Sequence, residues 1–459
     1  MTATVDLAEY VANIKYDDLP ADVVEAAKTA IRDALGVALF SVHLPWTETV
    51  TEFARETSGL GGATLWGRAQ QLAPPGAALV NGTAAHGIEM DDRSAALDLH
   101  NGAPTIPAAL ACAEHSGASG RDLIVAVVGG YEVAYRVARA TQGGITRFYW
   151  VSIRSLFGAT TAAALALGLD APGLVNALGI AGSMASGLLE HTQDPKGTMV
   201  KRLQGGGWPS QAGVTAAMLA ARGFTGPSSV LEGRHGVCRA FCTEKEPNIP
   251  ALTAALGEDY EIRGWETKPY AAVGHLHSTI DALAELRARE GFDPAEVRRI
   301  EIRTSTKVLP NFDPQAPRSI MAAQRGLAFV AAAALFYDLR DAGVWTEEIV
   351  SDPRITALLP DIEASMDPEI EEIYQATNDH GGVRLTATTA DGTRWDAHVR
   401  HAIGTLANPM SRDQLIGKFE LLAQRNLPLD QVRGLSGYLD GLDGEKDLSG
   451  FRQHVAAGE

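Results

Sequence analysis

The chain has 459 residues, more than one ordinary hydrophobic core accommodates, so two domains are expected. Its 46% hydrophobic and 21% charged residues suit a globular protein with a large core. The formal charge of -17 argues against nucleic acid as a partner, but not against an anionic ligand held by a local cluster of cations.

Cys112, Cys238 and Cys242 are an odd set that suggests no disulfide framework and fits a reducing cytoplasm. Cys238 and Cys242 would share a helix face, but no nearby His/Cys pair completes a zinc or iron–sulfur pattern, so no metal is expected. The acidic start, MTATVDLAEYVANIKYDDLP, lacks the basic and apolar parts of a signal peptide. No apolar run is long enough to span a bilayer, so no membrane association is expected.

In chain order, residues 5–41 read as two helices, the second opened by Pro20. A further helix follows at 46–57, and the Gly- and Pro-punctuated run from Gly59 to Pro75 reads as a loop or short hairpin. Ala77 to Asp91 is an Ala-rich helix running into an acidic cluster. From Thr105 to Leu167 the spacing predicts helix after helix, with Ser119 capping one of them and Asp122 completing the cap. Another helical pair, APGLVNALGIAGSMASGLLE and WPSQAGVTAAMLAARG, precedes the turn FTGPSSVLEG. Near Trp265 the texture changes: VRRIEIRTSTKVL, GVRLTATTADG and TRWDAHVRHAIG alternate like strands, and Asp391-Gly392 is a hairpin turn. After Asn408 the chain turns helical again, with Ser411 as a cap. The expected architecture is mainly α. A large helical domain is built from both chain ends (1–265 and 405–459), and a smaller α+β domain lies between (266–404).

The stretch from Asn81 to Pro107 concentrates His86, Glu89, Asp91, Asp92, Arg93, Asp98 and His100 beside helices rich in Ala and Gly. Charges are seldom buried unless paired or in use, so this is a candidate reaction centre, the alternative being a solvated helix end. Phe148-Tyr149-Trp150 with Arg154 could line a carboxylate pocket or plug a helix start. Lys201-Arg202-Leu203-Gln204 followed by three glycines reads as an anion cradle or as a plain flexible loop, and lacks the P-loop pattern. In Lys268-Pro269-Tyr270-Ala271-Ala272-Val273-Gly274-His275-Leu276-His277, a His could serve as acid or base, with His275 read as structural. Arg318 to Arg325 reads as a solvated helix start.

Six segments taken in order carry a resemblance to a known family: DLPADVVEAAKTAIRDALGVAL, NGTAAHGIEMDD, GASGRDLIVAVVGGYEVAYRVA, KRLQGGGWPSQAGVTAAMLAARGFTGPSSVLEG, KPYAAVGHLHSTIDA and ANPMSRDQLIGKFELLA. Over nearly its whole length the chain resembles the MmgE/PrpD family of 2-methylcitrate dehydratase, cis-aconitate decarboxylase and iminodisuccinate epimerase. The resemblance implies the same two-part fold, a homodimer, and no metal or organic cofactor. It puts the acidic motif on Asp91 and Asp92, with Glu89 where cis-aconitate decarboxylase has an Asp. The loop histidine becomes His100, the motif lysine Lys201 with Gln204 replacing a His, and the small-domain histidine His277. Tyr149 stands where dehydratases and decarboxylases have a His, and Arg93 replaces a common Thr.

The implied chemistry is proton transfer at a carbon next to a carboxylate in a small anionic substrate. Arg93, Arg154 and Lys201 are candidates for holding carboxylates and stabilising enolate-like charge, with Asp92, Glu89, Gln204 and Lys268 as further binding residues. Tyr149 and His277 are candidate acid/base groups, with His100 and Asp91 completing the catalytic set. The first reading is a cofactor-independent lyase, dehydratase or decarboxylase, acting on a di- or tricarboxylate. The second is an epimerase of an amino- or imino-dicarboxylate using Tyr149 and His277 or Lys201. The third is a catalytically silent scaffold, against which the retained Lys201, His100 and His277 argue.

Overall fold

The structure is a computed structural model that describes residues 2–194, 197–377 and 381–458. The chain divides into two compact units, Met1–Trp265 with Asp413–Glu459, and Glu266–Arg412. Among the described residues no helix is long and apolar enough to cross a membrane.

The first unit is helical apart from a short hairpin, β1 (Ala63–Thr64) with β2 (Gln71–Leu72). Its helices are α1 (Ala3–Ala12), α2 (Ala21–Ser41), α3 (Pro45–Thr57), α4 (Pro74–Ala85), α5 (Gly102–Ser116), α6 (Gly120–Ala140), α7 (Trp150–Ala166), α8 (Ala171–Gly182), α9 (Gly197–Arg202), α10 (Trp208–Ala220) and α11 (Val237–Phe241). Helix α6 starts with the capping box the sequence predicts: Asp122 N donates to Ser119 Oγ (3.2 Å) and Ser119 N to the Asp122 carboxylate (3.0 Å). At the centre, α7 packs against α5, α6, α8 and α10. Small residues allow the closest crossing. A Cβ added to Gly130 on α6 would stand 2.9 Å from the Gly158 carbonyl oxygen on α7, so a side chain there would push the helices apart.

In the second unit a four-stranded sheet has the order β4-β3-β5-β6, built from β3 (Val297–Thr304), β4 (Ile362–Met366), β5 (Val383–Thr389) and β6 (Arg394–Val399). Strand β3 runs parallel to β4 and antiparallel to β5, with Ile302 opposite Ala364 and Leu385. The expected hairpin joins β5 to β6: Gly392 takes φ 84°, and Asp391 Oδ1 accepts from Thr393 N at 3.0 Å. Helix α12 (His277–Arg287) packs on β5 and β6, and α14 (Leu327–Phe336) on α12; α13 (Ile320–Arg325), α15 (Glu347–Val350), α16 (Pro353–Leu358) and α17 (Pro368–Thr377) complete the unit.

Two helices at the end, α18 (Arg412–Ala423) and α19 (Leu429–Asp440), belong to the first unit from Asp413 onward, with the short α20 (Phe451–Val455) after them. Buried cations on α2 tie them down: Lys28 Nζ donates to the Asp440 carbonyl (2.9 Å) and pairs with Asp443, and Arg32 Nη2 reaches Asp440 Oδ1 (2.5 Å). The boundary after residue 404 needs correction. Thr267 N donates to the Gly404 carbonyl (3.1 Å) and Leu406 N to the Glu266 carboxylate (3.1 Å), and these bonds keep the following residues in the second unit.

Candidate active site in the helical unit

The helix predicted to reach Asp91 stops at Ala85. His86 N–H still bonds the Gly82 carbonyl at 3.1 Å, but Gly87 then lies where an added Cβ would be 2.4 Å from Ser41 Oγ. The chain leaves the helix there and runs as an irregular loop to Asn101. A small antiparallel bridge closes the loop, with Ser94 N donating to the Leu99 carbonyl at 2.8 Å. Asp98 sits at φ 52°, a region that short Asp side chains tolerate. Glu89, Asp91, Asp92 and Arg93 are all buried, so a solvated helix end does not describe this stretch.

Asp92 is a clamp rather than a ligand-binding group. Its Oδ1 accepts from Gly102 N, the first residue of α5, at 2.9 Å, and its Oδ2 from the Tyr131 hydroxyl at 2.6 Å. A carboxylate at a helix N-terminus is favoured by the dipole, yet burial raises its pKa to about 6. Burial likewise pushes the Tyr131 phenol well up, so Tyr131 serves as the donor.

One oxygen of Asp91 joins two imidazoles. Oδ2 lies 2.9 Å from His86 Nδ1 and 3.1 Å from His100 Nδ1. His100 Nδ1 is also 2.7 Å from the Asp92 carbonyl, which can only accept, so this nitrogen carries a proton. Burial lowers the His86 pKa to about 4; Asp91 opposes the shift, while Lys201 and Arg202 reinforce it. His86 is therefore neutral near pH 7, with its proton at Nδ1 toward Asp91. His86 Nε2 has no hydrogen-bond partner among the described residues. The two rings meet edge to face at 5.9 Å. His86 is fully enclosed, whereas the His100 side chain keeps 22% of its surface exposed.

The segment read as a cradle or loop, Lys201 to Gly207, is helical. Helix α9 continues as a π-helical turn over Leu203–Gly207 into α10. Its glycines serve close packing rather than anion capture. A Cβ on Gly205 would stand 2.3 Å from the His86 ring, and one on Gly206 would stand 2.0 Å from the Gly82 carbonyl oxygen. This contact sets α9 beside the loop. Lys201 Nζ and Arg202 Nη1 converge on Glu89 Oε1, Arg202 at 2.9 Å, and Arg202 also donates to the His86 carbonyl at 3.2 Å. Glu89, expected to bind substrate, is thus a partner for two cations.

Gln204, on the same turn, reaches outward from the loop. Its Nε2 donates to the Leu188 carbonyl at 3.1 Å and lies 2.7 Å from His191 Nδ1. The buried His191 ring meets Tyr149 edge to face at 4.8 Å, and Tyr149 N donates to the Gly187 carbonyl at 3.0 Å. Tyr149 and Gln204 therefore belong to one neighbourhood, joined through His191. Arg93 is buried with the acidic residues beside it. Arg154 is placed differently. Its Nε and Nη2 donate to Thr141 Oγ1 (2.9 Å) and Thr141 O (3.0 Å), and Nη1 to the Leu97 carbonyl (3.2 Å). The guanidinium expected to grip a carboxylate is committed to holding backbone.

Lys268 and His277 lie in the second unit, both buried. His277 Nε2 is 3.1 Å from the Ala272 carbonyl, which puts a proton on Nε2, and its ring meets Tyr270 edge to face at 5.3 Å. Tyr270 donates to Asp281 Oδ1 at 2.6 Å. His275 Nε2 bonds Asn311 Oδ1 at 2.8 Å, which fits its structural reading. Among the described residues no group of three or more His, Cys, Asp and Glu side chains is arranged to hold a metal ion.

Sequence reasoning placed His86 in the candidate centre and Arg202 in the candidate cradle without giving either an individual role, and it passed over Tyr131 and His191. Tyr131 lies in an apolar helix and His191 in a stretch without a motif, so nothing local marked them.

Comparison with known proteins bears on the whole chain. Residues 5–250 match the MmgE/PrpD N-terminal domain and residues 270–436 the MmgE/PrpD C-terminal domain. A cis-aconitate decarboxylase-like protein oryM of Aspergillus oryzae is 30% identical over 73% of this chain and 73% of its own length. The cis-aconitate decarboxylase of Aspergillus terreus is 26% identical over 97% of this chain and 94% of its own, and the 2-methylcitrate dehydratase of Cupriavidus necator 25% identical over 95% and 93%. With both domain models matched in order along one continuous sequence, the chain belongs to the MmgE/PrpD family.

Proposed function

We propose that this protein is a cofactor-independent lyase that acts on a di- or tricarboxylate by proton transfer at the carbon next to a carboxylate. The observation that carries the reading is the His86–Asp91–His100 arrangement beside the cluster of Lys201, Arg202 and Glu89. The names of the decarboxylase and dehydratase relatives support the same class.

In this reading Lys201, with Arg202 behind it, attracts a substrate carboxylate and stabilises negative charge as it develops. His100 is the acid/base group. Its Nδ1–H is held by Asp91 and the Asp92 carbonyl, which orients the ring. In a dehydration, His100 removes the α-proton and the hydroxyl leaves as water after protonation. In a decarboxylation, the carboxylate leaves as carbon dioxide, and the electrons of the broken C–C bond pass to the α-carbon, which is then protonated. Tyr149, beside His191, is the second proton donor.

An epimerase is the second reading, favoured by one observation: a tyrosine, Tyr149, occupies the place where the resemblance expects the lyases' histidine. An imidazole and a phenol on opposite faces of one carbon would suit inversion. Incubation with a panel of di- and tricarboxylates in heavy water, followed by proton NMR, separates the two. New vinylic signals are expected; deuterium uptake with inversion and no new product would replace the lyase with the epimerase. Absence of any exchange across the panel would sink both.

A further inference from the structure

We propose that Lys418, on the C-terminal helix α18, is a positioning residue for the acid/base loop, gripping its backbone at Met90 while neutralising Asp33 beneath it. The inference rests on the reading of residues 86–101 as the acid/base centre.

Lys418 Nζ donates to Asp33 Oδ1 at 2.5 Å and to the Met90 carbonyl at 2.9 Å. Both ionised side chains are almost fully enclosed, 4% exposed for Lys418 and 3% for Asp33. If α18 needed only to pack on α2, an apolar pair would serve, because replacing a buried ion pair with well-packed hydrophobic residues is often neutral or stabilising. The neighbouring Phe419 and Leu422 already fill that role. What an apolar residue cannot do is donate to a carbonyl.

That carbonyl lies at a decisive place. Each residue from Glu89 to Asp92 is held by a different part of the fold. The Glu89 carboxylate is taken by Lys201 and Arg202, and the Met90 carbonyl by Lys418. The Asp91 carboxylate meets His86 and His100, and the Asp92 carboxylate meets Tyr131 and Gly102. Met90 is the link between the cation cluster and the imidazole pair, and its tether comes from 328 residues further along the chain. Asp33 also bears electrostatically on Asp92, so the Lys418 charge offsets a carboxylate that would otherwise repel the loop's own acids. The centre is therefore assembled only when the C-terminal segment has returned to α2.

Two variants of the full-length protein test this: Lys418→Met, and Asp33→Asn/Lys418→Met, which also removes the charge that Lys418 faces. Hydrogen exchange is followed in peptides covering 86–101 and, as a control, α6; kcat and KM are measured on the acid that the wild type turns over best. In both variants the loop is expected to exchange at least ~10-fold faster while α6 stays protected. A misplacement of about 1 Å costs on the order of 10²-fold, so kcat should fall by about that factor. KM should stay within about threefold, because the Lys201 cluster is untouched. A double variant with wild-type loop exchange and kcat overturns the proposal. So does one that unfolds or loses α6 protection with the loop, since Lys418 would then serve global stability. A wild type inactive on the whole panel would remove the functional reading instead, and the exchange result would still decide the role of Lys418.

Discussion

The two halves of the loop between α4 and α5, the first buried and the second partly exposed, are held by different chemistry. In the first half, ionisable side chains end on other ionisable side chains: Glu89 on Lys201 and Arg202, and Asp91 on His86 and His100. In the second half, neutral and cationic donors end on backbone. The carbonyls of Ala96, Leu97 and Asp98 accept from Gln142 (2.7 Å), Arg154 (3.2 Å) and Trp150 (2.8 Å). Coupled titratable groups can exchange protons and respond to a charged ligand; a carbonyl held by an N–H can only be kept in place. Charge in a motif is therefore a weaker guide to chemistry than what the charge ends on.

If that division is right, the largest effect should come from the first half. Lys201→Met is expected to lower kcat/KM by ~10²-fold or more, because it strips the cluster of a buried cation and leaves Glu89 drawing on Arg202. Kinetics within about threefold of wild type would break the comparison. Gly205→Ala comes next: its Cβ would stand 2.3 Å from the His86 ring, so the imidazole must move. A fall in kcat of roughly tenfold or more is expected; an unchanged rate would show that the His86 position is immaterial.

The second half should respond in stability instead. Arg154→Gln abandons donors to Thr141 and Leu97, and burial already holds the Arg154 pKa down to about 10. A loss of about 2–4 kcal/mol in urea unfolding is expected, with kcat/KM of the folded enzyme kept within about threefold. Equal damage to activity would return Arg154 to the chemistry.

The smallest effect is a change of slope with pH. His86 has its pKa lowered from 6.5 to about 4 on folding, so the unfolded chain binds more protons between those values, and stability is lost as pH falls through that window. Asp92 has its pKa raised from 3.8 to about 6, so the folded chain binds more protons there, and stability is lost as pH rises. The two oppose each other across nearly the same range. His86→Gln should flatten the acid-side loss of stability measured by thermal unfolding, and Asp92→Asn should steepen it, each by a few kcal/mol at most. Shifts of the same sign in both would contradict the assigned protonation states.

Much of this was legible before folding. Helical spacing, the Ser119–Asp122 cap and the Asp391-Gly392 turn are local signals, and each element forms where its residues favour it. The acidic stretch was legible as a centre because burying so many ionisable groups needs a reason. The end of α4 was not, since the close approach of Gly87 to Ser41 on α2 is distant in sequence. The glycines after Gln204 suggested an anion cradle or a flexible loop because their partners, His86 and Gly82, lie far away in sequence. His191 was invisible for the same reason: its surroundings are Tyr149 and Gln204, neither a sequence neighbour.

The π turn between α9 and α10 has a consequence for how the cations could be lost. There the Trp208 N–H bonds back to the Leu203 carbonyl, which accommodates a surplus residue compared with a regular helix. Deleting any one residue of that turn would let the helix wind evenly. Lys201 and Arg202 would then swing by about 100° around the axis relative to α10, without a single charge having been mutated. The direction in which these side chains face is thus stored as a count of residues, and a shortened chain could keep every functional group and still misaim them.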